Sequence, residues 1–433
     1  MSSLSILPVS ASNTKETGEH VDYYLRSTCR MCDGHELSRV MELIPTPPGN
    51  NFLTEDEINK SEPSYPLELY FCSTCYHIQL GHIVDPRILY QNNYPYVSAT
   101  SSQFVNHLRA YADRSVERYG LRKGDLVADI GSNDGTCLKF FKDHGMRVLG
   151  IDPAINIAET ATTEGIETIG MFFSFSLAQQ LREKHGPATL ITSHNACAHI
   201  DQLDDVILGV SHWLQDDGIF VVEVGYFVDV YAKLWFDTIY HEHLDYHTVG
   251  PFGKLFDRMG MEIVSVERTN AQGGSIRITV QKKDGLLKKD ASAEELICLE
   301  KKLELNKRVA FIKFIQRINK AGENLRNLLQ KIKMDGKSIA AYGATTKSTT
   351  LLSQFQIDRE FIDFIADDNP LKQGLFSPRL HIPVLSADEL YRRSPDYVLL
   401  LAWNFAEPIM KTHRAFEERG GRFILPMPEP RIV

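Results

Sequence analysis

The chain has 433 residues, of which 43% are hydrophobic and 24% charged, and its formal net charge at pH 7 is −9. This length exceeds one ordinary core and predicts two or three domains. The acidic balance argues against a nucleic-acid binder or a membrane-surface protein, because either would need a basic face. No run of residues approaches the apolar length of a membrane span. We therefore expect a soluble globular protein with no nucleic-acid or membrane partner.

Residues 1–25 are rich in Ser and Thr and predict a flexible leader. They lack the basic start and apolar run of a secretory signal. Cys137, Cys197 and Cys298 are scattered, and this cysteine usage favours a reducing cytoplasm over a disulfide-forming compartment. We expect a monomer or a weak homodimer.

Two cysteine pairs, Cys29–Cys32 and Cys72–Cys75, bracket a Pro-rich polar stretch within residues 26–100. Each C-x-x-C places two thiolates on one tight turn, and two such turns supply the four sulfurs of a tetrahedral zinc site. Four sulfur ligands leave no open coordination position, so the predicted zinc is structural. Thioredoxin-like redox chemistry is the alternative, but it would leave the second pair unexplained. The pattern predicts a zinc-binding domain that acts as a lid over a site built elsewhere.

Residues 101–290 begin with a predicted helix at about 102–119 and then alternate apolar strands with helical stretches. The strand candidates are 126–130, 147–151, 188–193, 218–223, 262–268 and 275–281. This α/β pattern is typical of a parallel sheet wrapped by helices, and its last two strands predict an antiparallel finish.

The remaining chain divides into two predicted parts. Residues 291–336 form a charged helical connector with one apolar face. Residues 337–433 form a second alternating α/β unit, with strand candidates at 338–342, 362–366, 397–401 and 422–424.

A glycine loop, Asp129-Ile130-Gly131-Ser132-Asn133-Asp134-Gly135, follows the first of these strands and opens a helix. Glycines there let the backbone approach a ligand without a Cβ clash. Asp152, at the end of the next strand, can accept hydrogen bonds from ribose hydroxyls. A dinucleotide fingerprint needs glycine where Asn133 stands, which favours S-adenosylmethionine over a nucleotide cofactor. The D-x-G-x-x-x-G spacing resembles the first motif of class I methyltransferases.

Two further segments are candidates for the donor site, although each is also compatible with ordinary packing. Met171-Phe172-Phe173 could flank the adenine, and Ser193-His194-Asn195 could contact the donor. The predicted donor-binding residues are Asp129, Gly131, Ser132, Asn133, Gly135, Asp152, Phe173, His194 and Asn195.

The densest polar cluster is Tyr240-His241-Glu242-His243. A histidine near its neutral pKa can remove a proton beside a carbonyl, and a carboxylate can orient it. A tyrosine hydroxyl can donate a hydrogen bond to a developing enolate oxygen. The cluster lacks the i, i+4 histidine pair of a zinc protease, so no catalytic metal is expected. A surface-exposed polar loop is the alternative.

A third segment, Ala344-Thr345-Thr346-Lys347-Ser348-Thr349, ends a strand and starts a helix. Backbone amides at a helix start, together with Lys347, would suit a phosphate. The spacing of a Walker loop is missing, and an ordinary helix start explains the segment equally well.

Together, these residues resemble the sugar C-methyltransferase family that acts on nucleotide-linked 4-keto-deoxysugars. The resemblance covers nearly the whole chain. Besides the cysteine pairs, the glycine loop and the Tyr240 cluster, it includes Tyr94, Tyr96 and Ser98, Gly273-Gly274-Ser275-Ile276-Arg277, Gly343-Ala344-Thr345-Thr346-Lys347, Asp367 to Gly374 and Leu401 to Phe405. It implies a zinc-binding domain, a central S-adenosylmethionine-binding Rossmann-like domain, and a C-terminal Rossmann-like domain that helps to hold a sugar nucleotide.

The resemblance also implies residue roles. His243 would be the general base with Glu242 as its partner, Tyr240 and Tyr94 would line the sugar, and His199 would lie near the keto oxygen. The implied substrate contacts are Tyr96, Ser98, Ser275, Arg277, Lys347, Lys372, Trp403 and Asn404, and Arg379 is a further candidate for the diphosphate.

The implied reaction is methylation of carbon 3 through an enolate. Methylation at carbon 5 or at a sugar oxygen stays open, as does a non-enzymatic zinc module that binds S-adenosylmethionine. Two positions depart from the family pattern: Gln272 stands where a histidine is expected, and Thr346 where a small residue is expected. Both concern the sugar-nucleotide side of the site.

Overall fold

The structure is a computed structural model that describes residues 22–91 and 98–433, so the predicted sugar contacts Tyr94 and Tyr96 lie outside the described residues. Its strands are β1 (Tyr23–Leu25), β2 (Leu37–Thr46), β3 (Tyr65–Cys72), β4 (Ile78–Leu80), β5 (His82–Val84), β6 (Leu126–Ile130), β7 (Arg147–Ile151), β8 (Thr168–Ile169), β9 (Ala188–His194), β10 (Leu214–Gly225), β11 (Asp245–Tyr246), β12 (Met261–Thr269), β13 (Ser275–Lys282), β14 (Ile339–Tyr342), β15 (Ile365–Asp367), β16 (Val384–Ser386), β17 (Tyr397–Leu400), β18 (Arg422–Leu425) and β19 (Arg431–Ile432).

The α-helices connect these strands and cover the sheets. They are α1 (Ser102–Arg118), α2 (Thr136–Asp143), α3 (Ile155–Thr163), α4 (Phe175–His185), α5 (Leu203–Trp213), α6 (Phe227–Lys233), α7 (Val249–Arg258), α8 (Ser292–Lys302), α9 (Arg308–Met334), α10 (Thr346–Phe355), α11 (Glu389–Arg393), α12 (Ala406–Thr412) and α13 (Arg414–Glu418). Among the residues that the structure describes, no helix combines the length and apolar character needed to cross a membrane.

The N-terminal part contains two small antiparallel sheets. β1 pairs with β5, so residues 23–25 are part of the fold rather than of the flexible leader that their composition predicts. β2, β3 and β4 form the second sheet, and its remaining strand is β11. Because β11 follows the Tyr240 cluster directly, the predicted catalytic loop is hydrogen-bonded to the zinc-binding domain.

The central sheet has seven strands in the order β12-β13-β10-β9-β6-β7-β8. The strands from β10 to β8 run parallel, and β13 is antiparallel to both of its neighbours. All six predicted strands are present, and the two-residue β8 was missed. The chain leaves β6 toward β7 and later returns on the other side to β9. Ligands bind at such a switch point, beyond the carboxyl ends of the strands, and the glycine loop lies there.

The C-terminal sheet has the order β16-β15-β14-β17-β18-β19 and is parallel except for β19. α10 begins immediately after the loop that follows β14, which places Lys347 in its first turn. These observations confirm the predicted α/β class for the central and the C-terminal units.

The predicted helical connector consists of two helices instead of one. α8 packs on α7 and β12, whereas α9 packs on α10 and β2. On α9, the fully buried ring of Phe311 lies 5.5 Å from the ring of Phe71 and 6.0 Å from that of Phe227. Apolar side chains of α9 therefore join the zinc-binding domain to the central domain and hold the two in a fixed arrangement.

Candidate active site

The four predicted metal ligands come together. The sulfurs of Cys29 and Cys75 are 3.5 Å apart, those of Cys32 and Cys72 are 3.6 Å apart, and all four lie within 4.8 Å of one another. Zinc held by four thiolates at about 2.3 Å requires sulfurs about 3.8 Å apart. The site therefore fits a structural zinc ion.

Both cysteine turns have the same backbone geometry. Asp33 and Tyr76, each directly after the second cysteine of its pair, have φ values of 59° and 69°. Their N–H groups donate to the carbonyl oxygens of Cys29 and Cys72, at 2.9 and 2.8 Å. This repeated turn presents both sulfurs of each pair on the same side.

The glycine loop requires its glycines. Gly131 and Gly135 have φ values of 75° and 73°. A Cβ on Gly131 would lie 2.4 Å from the Cβ of Ala196, and one on Gly135 would lie 2.9 Å from Cγ2 of Ile166. Only glycine therefore fits these two positions, because both have a positive φ and both pack closely against a neighbouring side chain.

Asp152 is held beneath this loop by two backbone amides. Its Oδ2 accepts from the N–H of Asn133 at 2.8 Å and its Oδ1 from the N–H of Ala154 at 2.9 Å. Burial raises the pKa of Asp152, while these two hydrogen bonds oppose the shift. Each carboxylate oxygen keeps a second lone pair, so the side chain can still accept from ribose hydroxyls.

Several buried polar atoms beside the loop have no hydrogen-bond partner within the described ranges. They are Oδ1 of Asp129, Oγ of Ser132 and both ring nitrogens of His194. Burial, with the nearby Asp152, raises the pKa of Asp129, and burial lowers the pKa of His194 to about 4. Unpaired polar atoms in this position fit a polar ligand such as the amino-acid end of S-adenosylmethionine.

The predicted role of Phe173 is not supported by its position. Its ring stacks on that of Trp213 at 6.1 Å in the core, because β8 and α4 turn it inward. Met171 and Phe172 are 53% and 41% exposed, so these two residues are the ones free to flank an adenine. Asn195 has a φ of 63° and donates its N–H to the Glu223 carbonyl at 2.7 Å, which turns the chain after β9.

His243 has both ring nitrogens engaged. Nδ1 lies 2.8 Å from the carbonyl oxygen of Thr238, and Nε2 lies 2.8 Å from the hydroxyl of Tyr240. A carbonyl can only accept, so Nδ1 carries the hydrogen and Nε2 carries the lone pair. Burial, and then the neighbouring His199, hold the pKa of His243 well below its ordinary value. His243 is therefore a neutral base at physiological pH.

His199 lies beside His243, with 4.9 Å between the ring centroids. Its Nδ1 donates to the carbonyl oxygen of Glu242 at 2.6 Å, and the Tyr90 hydroxyl donates to the same oxygen at 3.2 Å. Burial lowers the pKa of His199 to about 4 and raises that of Tyr90. Tyr90 was missed as a site residue, although it opens the tyrosine-rich connector.

The predicted pairing of Glu242 with His243 is corrected by these contacts. Thr238, rather than Glu242, accepts the Nδ1 hydrogen of His243, because the loop folds back on itself. Oε1 of Glu242 instead accepts from Nδ2 of Asn50, at 2.9 Å. The catalytic loop thus directs one carboxylate at the zinc-binding domain.

Asn50 is a site residue that sequence reasoning missed. While its Nδ2 donates to Glu242, its Oδ1 accepts from the hydroxyl of Thr346, at 2.8 Å. Thr346 also fills the space beside Gly49, where a Cβ would lie 2.6 Å from Cγ2 of Thr346. One amide therefore joins all three domains, and its partner in the C-terminal domain is Thr346, where the resemblance led us to expect a small residue.

Four predicted substrate residues face this region from the C-terminal domain. Nζ of Lys347 donates to Oδ1 of Asn404 at 2.7 Å, and Nε1 of Trp403 donates to Asp237 at 2.8 Å. Nζ of Lys372 donates to the Ala344 carbonyl at 2.7 Å. Burial lowers the pKa of both lysines, with Asp237 opposing the shift at Lys347 and Asp367 and Glu242 opposing it at Lys372. Lys347 is close enough to help depress the pKa of His243.

Ser98 and Ser275 are located away from these residues. The N–H of Ser98 donates to Oδ1 of Asn133 at 2.9 Å, so Ser98 lies on the donor loop. The hydroxyl of Ser275 donates to the Ala271 carbonyl at 3.0 Å at the start of β13. The hydroxyl of Ser275 is thus used within the protein, whereas the predicted sugar contact of Ser98 stays a prediction.

Two arginines are likewise committed elsewhere. Arg277 forms a buried ion pair with Glu223 at 2.6 Å, because the two residues are paired in register across β13 and β10. Arg379 donates to the carbonyl of Pro45 at 3.0 Å, on the contact between the zinc-binding and C-terminal domains. Neither guanidinium is placed as the diphosphate contact that its charge suggested.

Gln272, where the resemblance led us to expect a histidine, has a φ of 47° and belongs to a turn that packs on Trp235. A Cβ on the next residue, Gly273, would lie 1.6 Å from Cη2 of Trp235. The Trp235 ring in turn meets that of Trp403 edge-on at 5.7 Å. The turn therefore supports the sugar side of the site through two aromatic rings.

Comparisons with known proteins identify three consecutive parts of the chain. Family models match residues 29–90 (zinc binding domain), 104–266 (methyltransferase domain) and 270–428 (C-methyltransferase C-terminal domain). The C-methyltransferase NovU of Streptomyces niveus is 35% identical over 405 residues, which are 94% of this chain and 96% of NovU.

Solved structures match only part of the chain. Magnesium protoporphyrin IX methyltransferase (ChlM) from Synechocystis PCC 6803 is 15% identical with a TM-score of 0.33, and the match covers 41% of this chain and 83% of ChlM. An S-adenosylmethionine-dependent methyltransferase from Clostridium acetobutylicum is 12% identical with a TM-score of 0.34. This match covers 41% of the present chain and 92% of the Clostridium protein. The near-complete alignment with NovU carries the assignment: this S-adenosylmethionine-dependent enzyme belongs to the sugar C-methyltransferase family.

Proposed function

We propose that the enzyme methylates carbon 3 of a nucleotide-linked 4-keto-deoxyhexose through an enolate, in the synthesis of a branched-chain deoxysugar. The observation that carries this proposal is the neutral His243, whose Nε2 lone pair faces Tyr240 at 2.8 Å beside a second neutral imidazole. A base and a phenol side by side suit a ketone, because the ketone acidifies the adjacent C–H and its oxygen needs a hydrogen-bond donor.

In the proposed reaction, Tyr240 turns its hydroxyl from His243 to the keto oxygen, which frees Nε2. His243 then takes the proton from carbon 3, and the electron pair of that C–H bond forms the enolate. When bound, S-adenosylmethionine supplies an electrophilic methyl group. Carbon 3 takes this methyl group, and the electrons of the broken S–C bond stay on sulfur in S-adenosylhomocysteine.

The hydrogen-bond pattern favours Tyr240 over His199 as the donor to the enolate oxygen. Neutral His199 uses its one hydrogen on the Glu242 carbonyl, so its Nε2 can accept but not donate. His199 is suited instead to interact with the imidazolium that forms on His243, 4.9 Å away between ring centroids.

Binding of the nucleotide diphosphate is assigned to the C-terminal side of the site. Lys347 and Lys372 are largely desolvated, with lowered pKa values, and a diphosphate beside them would favour their charged forms. Asn404 and Trp403 extend the same surface. The zinc-binding domain, through Asn50, closes the opposite side, and its exclusion of water would limit reprotonation of the enolate.

The test uses a nucleotide-linked 4-keto-deoxyhexose and a donor with a ¹³C-labelled methyl group. NMR of the product distinguishes a methyl group on carbon 3 from one on carbon 5 or on oxygen. In deuterated buffer with S-adenosylhomocysteine, wild-type enzyme should exchange the hydrogen on carbon 3, and His243→Asn should abolish that exchange.

His241→Asn is the matched control. His241 belongs to the same loop, but its Nε2 lies 3.2 Å from the Tyr65 carbonyl of the zinc-binding domain. This variant should keep exchange and methyl transfer. Persistence of carbon 3 exchange in folded His243→Asn would remove His243 as the base, and a label on carbon 5 or oxygen would replace the proposed position.

A further inference from the structure

Arg30 stands between the first two zinc ligands, and its side chain is fully buried. Its Nε donates to Oδ1 of Asp201 at 3.0 Å, and its Nη1 lies 3.6 Å from Oδ1 of Asp245. Nη1 also donates to the carbonyl oxygens of Leu80 and Leu244, at 3.1 and 3.4 Å. One guanidinium thus contacts three separate segments of chain.

The two carboxylates belong to the loops that carry the paired imidazoles. Asp201 lies just beyond His199, and Asp245 lies just beyond His243. The rings of these histidines are 4.9 Å apart, although the loops extend from different strands of the central sheet. Arg30 therefore bridges the two loops directly behind the two imidazoles.

Neighbouring contacts make this bridge part of a larger connection. The N–H of Leu244 donates to the Ala198 carbonyl at 2.7 Å, so the loops also meet through their backbones. Nε2 of His77, close to the zinc ligand Cys75, lies 2.6 Å from Oδ1 of Asp245. Both cysteine turns thus contribute a cationic or polar side chain to the carboxylate next to the catalytic loop.

We propose that Arg30 is a positioning residue that sets the separation of His199 and His243 by holding Asp201 and Asp245 on one guanidinium anchored in the zinc turn. This inference rests on the proposed function, in which His243 removes the proton. It gives the zinc-binding domain a role in the geometry of proton transfer. A planar, forked guanidinium can bridge two carboxylates in fixed directions, whereas an ammonium group cannot.

The test compares zinc-loaded Arg30→Lys and Arg30→Met with wild type. A displacement of about 1 Å at a reacting group costs on the order of 100-fold in rate, so both variants should lower kcat and carbon 3 exchange by about that factor. The KM for the donor should stay within about twofold of wild type, because the donor loop does not contact Arg30. The number of zinc ions bound per chain should remain that of the wild type.

Arg258→Met is the matched control. Arg258 is an exposed arginine that donates to the carbonyl of Met31 in the same cysteine turn, at 3.0 Å, and this is the one hydrogen bond described for its side chain. The Arg258→Met variant should retain the wild-type kcat. Arg30→Met removes one cation from both carboxylates and could unfold the protein, although Asp201 keeps Nη1 of Arg26 at 3.1 Å and Asp245 keeps Nε2 of His77 at 2.6 Å. Asp201→Ala is therefore a second variant that breaks the bridge from outside the metal turn.

A second readout does not depend on turnover. In protein labelled with ¹⁵N in histidine, the imidazole resonances of His199 and His243 should shift in Arg30→Lys and in Asp201→Ala, but not in Arg258→Met. Unchanged resonances together with kcat within about twofold of wild type in these two variants would overturn the inference. If wild type neither exchanges nor methylates any keto-sugar nucleotide, the proposed function fails, and the resonances still decide whether Arg30 positions the histidines.

Discussion

The Tyr240 hydroxyl lies 2.8 Å from Nε2 of His243, and the two rings are 4.1 Å apart between centroids. This contact holds a proton donor and a proton acceptor on one short loop. In the proposed reaction, this hydroxyl moves to the keto oxygen and leaves Nε2 free to take the proton. The remaining ring nitrogen of His243 is fixed by the Thr238 carbonyl, so the base cannot change its tautomer without losing a hydrogen bond.

Tyr240→Phe should lower kcat by about 100- to 1,000-fold, because one donor to the enolate oxygen is lost. Exchange of the hydrogen on carbon 3 in deuterated buffer should fall by a similar factor, while the affinity for S-adenosylmethionine stays unchanged. Stopped-flow or quenched assays at saturating donor measure this change. Methyl transfer that slows while exchange remains at the wild-type rate would contradict the assigned role.

The activity should depend on pH in a specific direction. Burial holds the pKa of His243 well below 6.5, so the neutral, active form dominates from pH 6 upward and is lost only as the pH falls further. The value of kcat/KM should therefore be flat between about pH 6 and 8 and decrease in acid. An increase of kcat/KM as the pH rises through 6.5 would show that the base has an ordinary pKa and is not desolvated.

Removal of zinc should destabilise the N-terminal domain and, through it, the catalytic loop. Cys75→Ser should lose the metal and lower the Tm by more than about 5 °C, since a four-sulfur site contributes folding free energy directly. Cys298→Ser is the matched control because Cys298 is exposed and outside the cluster. Zinc content and differential scanning calorimetry measure both variants; full zinc in Cys75→Ser would refute the ligand set.

Asn50→Ala should weaken the contact between the three domains. The variant loses a hydrogen bond to the Glu242 carboxylate, worth about 1.5–3 kcal/mol, so kcat/KM for the sugar nucleotide should fall roughly 10- to 100-fold. The KM for the donor should be unaffected. Asn51→Ala changes an exposed neighbouring amide and should behave as wild type. Equal effects of the two substitutions would argue against a role for the hydrogen bonds of Asn50 to Glu242 and Thr346.

The local motifs of this chain were readable from the sequence because each depends on residues close together along it. The C-x-x-C turns predicted the sulfur cluster, and the glycines of the donor loop predicted a tight turn without room for Cβ atoms. Apolar runs predicted the long strands of both sheets within a few residues. The strands β1 to β5 of the zinc-binding domain were not predicted. The strands β8, β11, β16 and β19 were also missed, since two or three residues carry no periodicity.

The partners of the buried polar groups were decided only by the tertiary structure. Arg277 was expected at a diphosphate, but the register of β13 against β10 commits it to Glu223. Glu242 was expected beside His243, yet it meets Asn50, which arrives from another domain. A buried charge pairs with whichever group the covering elements bring within reach, and that group is usually distant in sequence. The residue types thus determined which chemistry is available, and the packing of three domains determined which atoms can perform it.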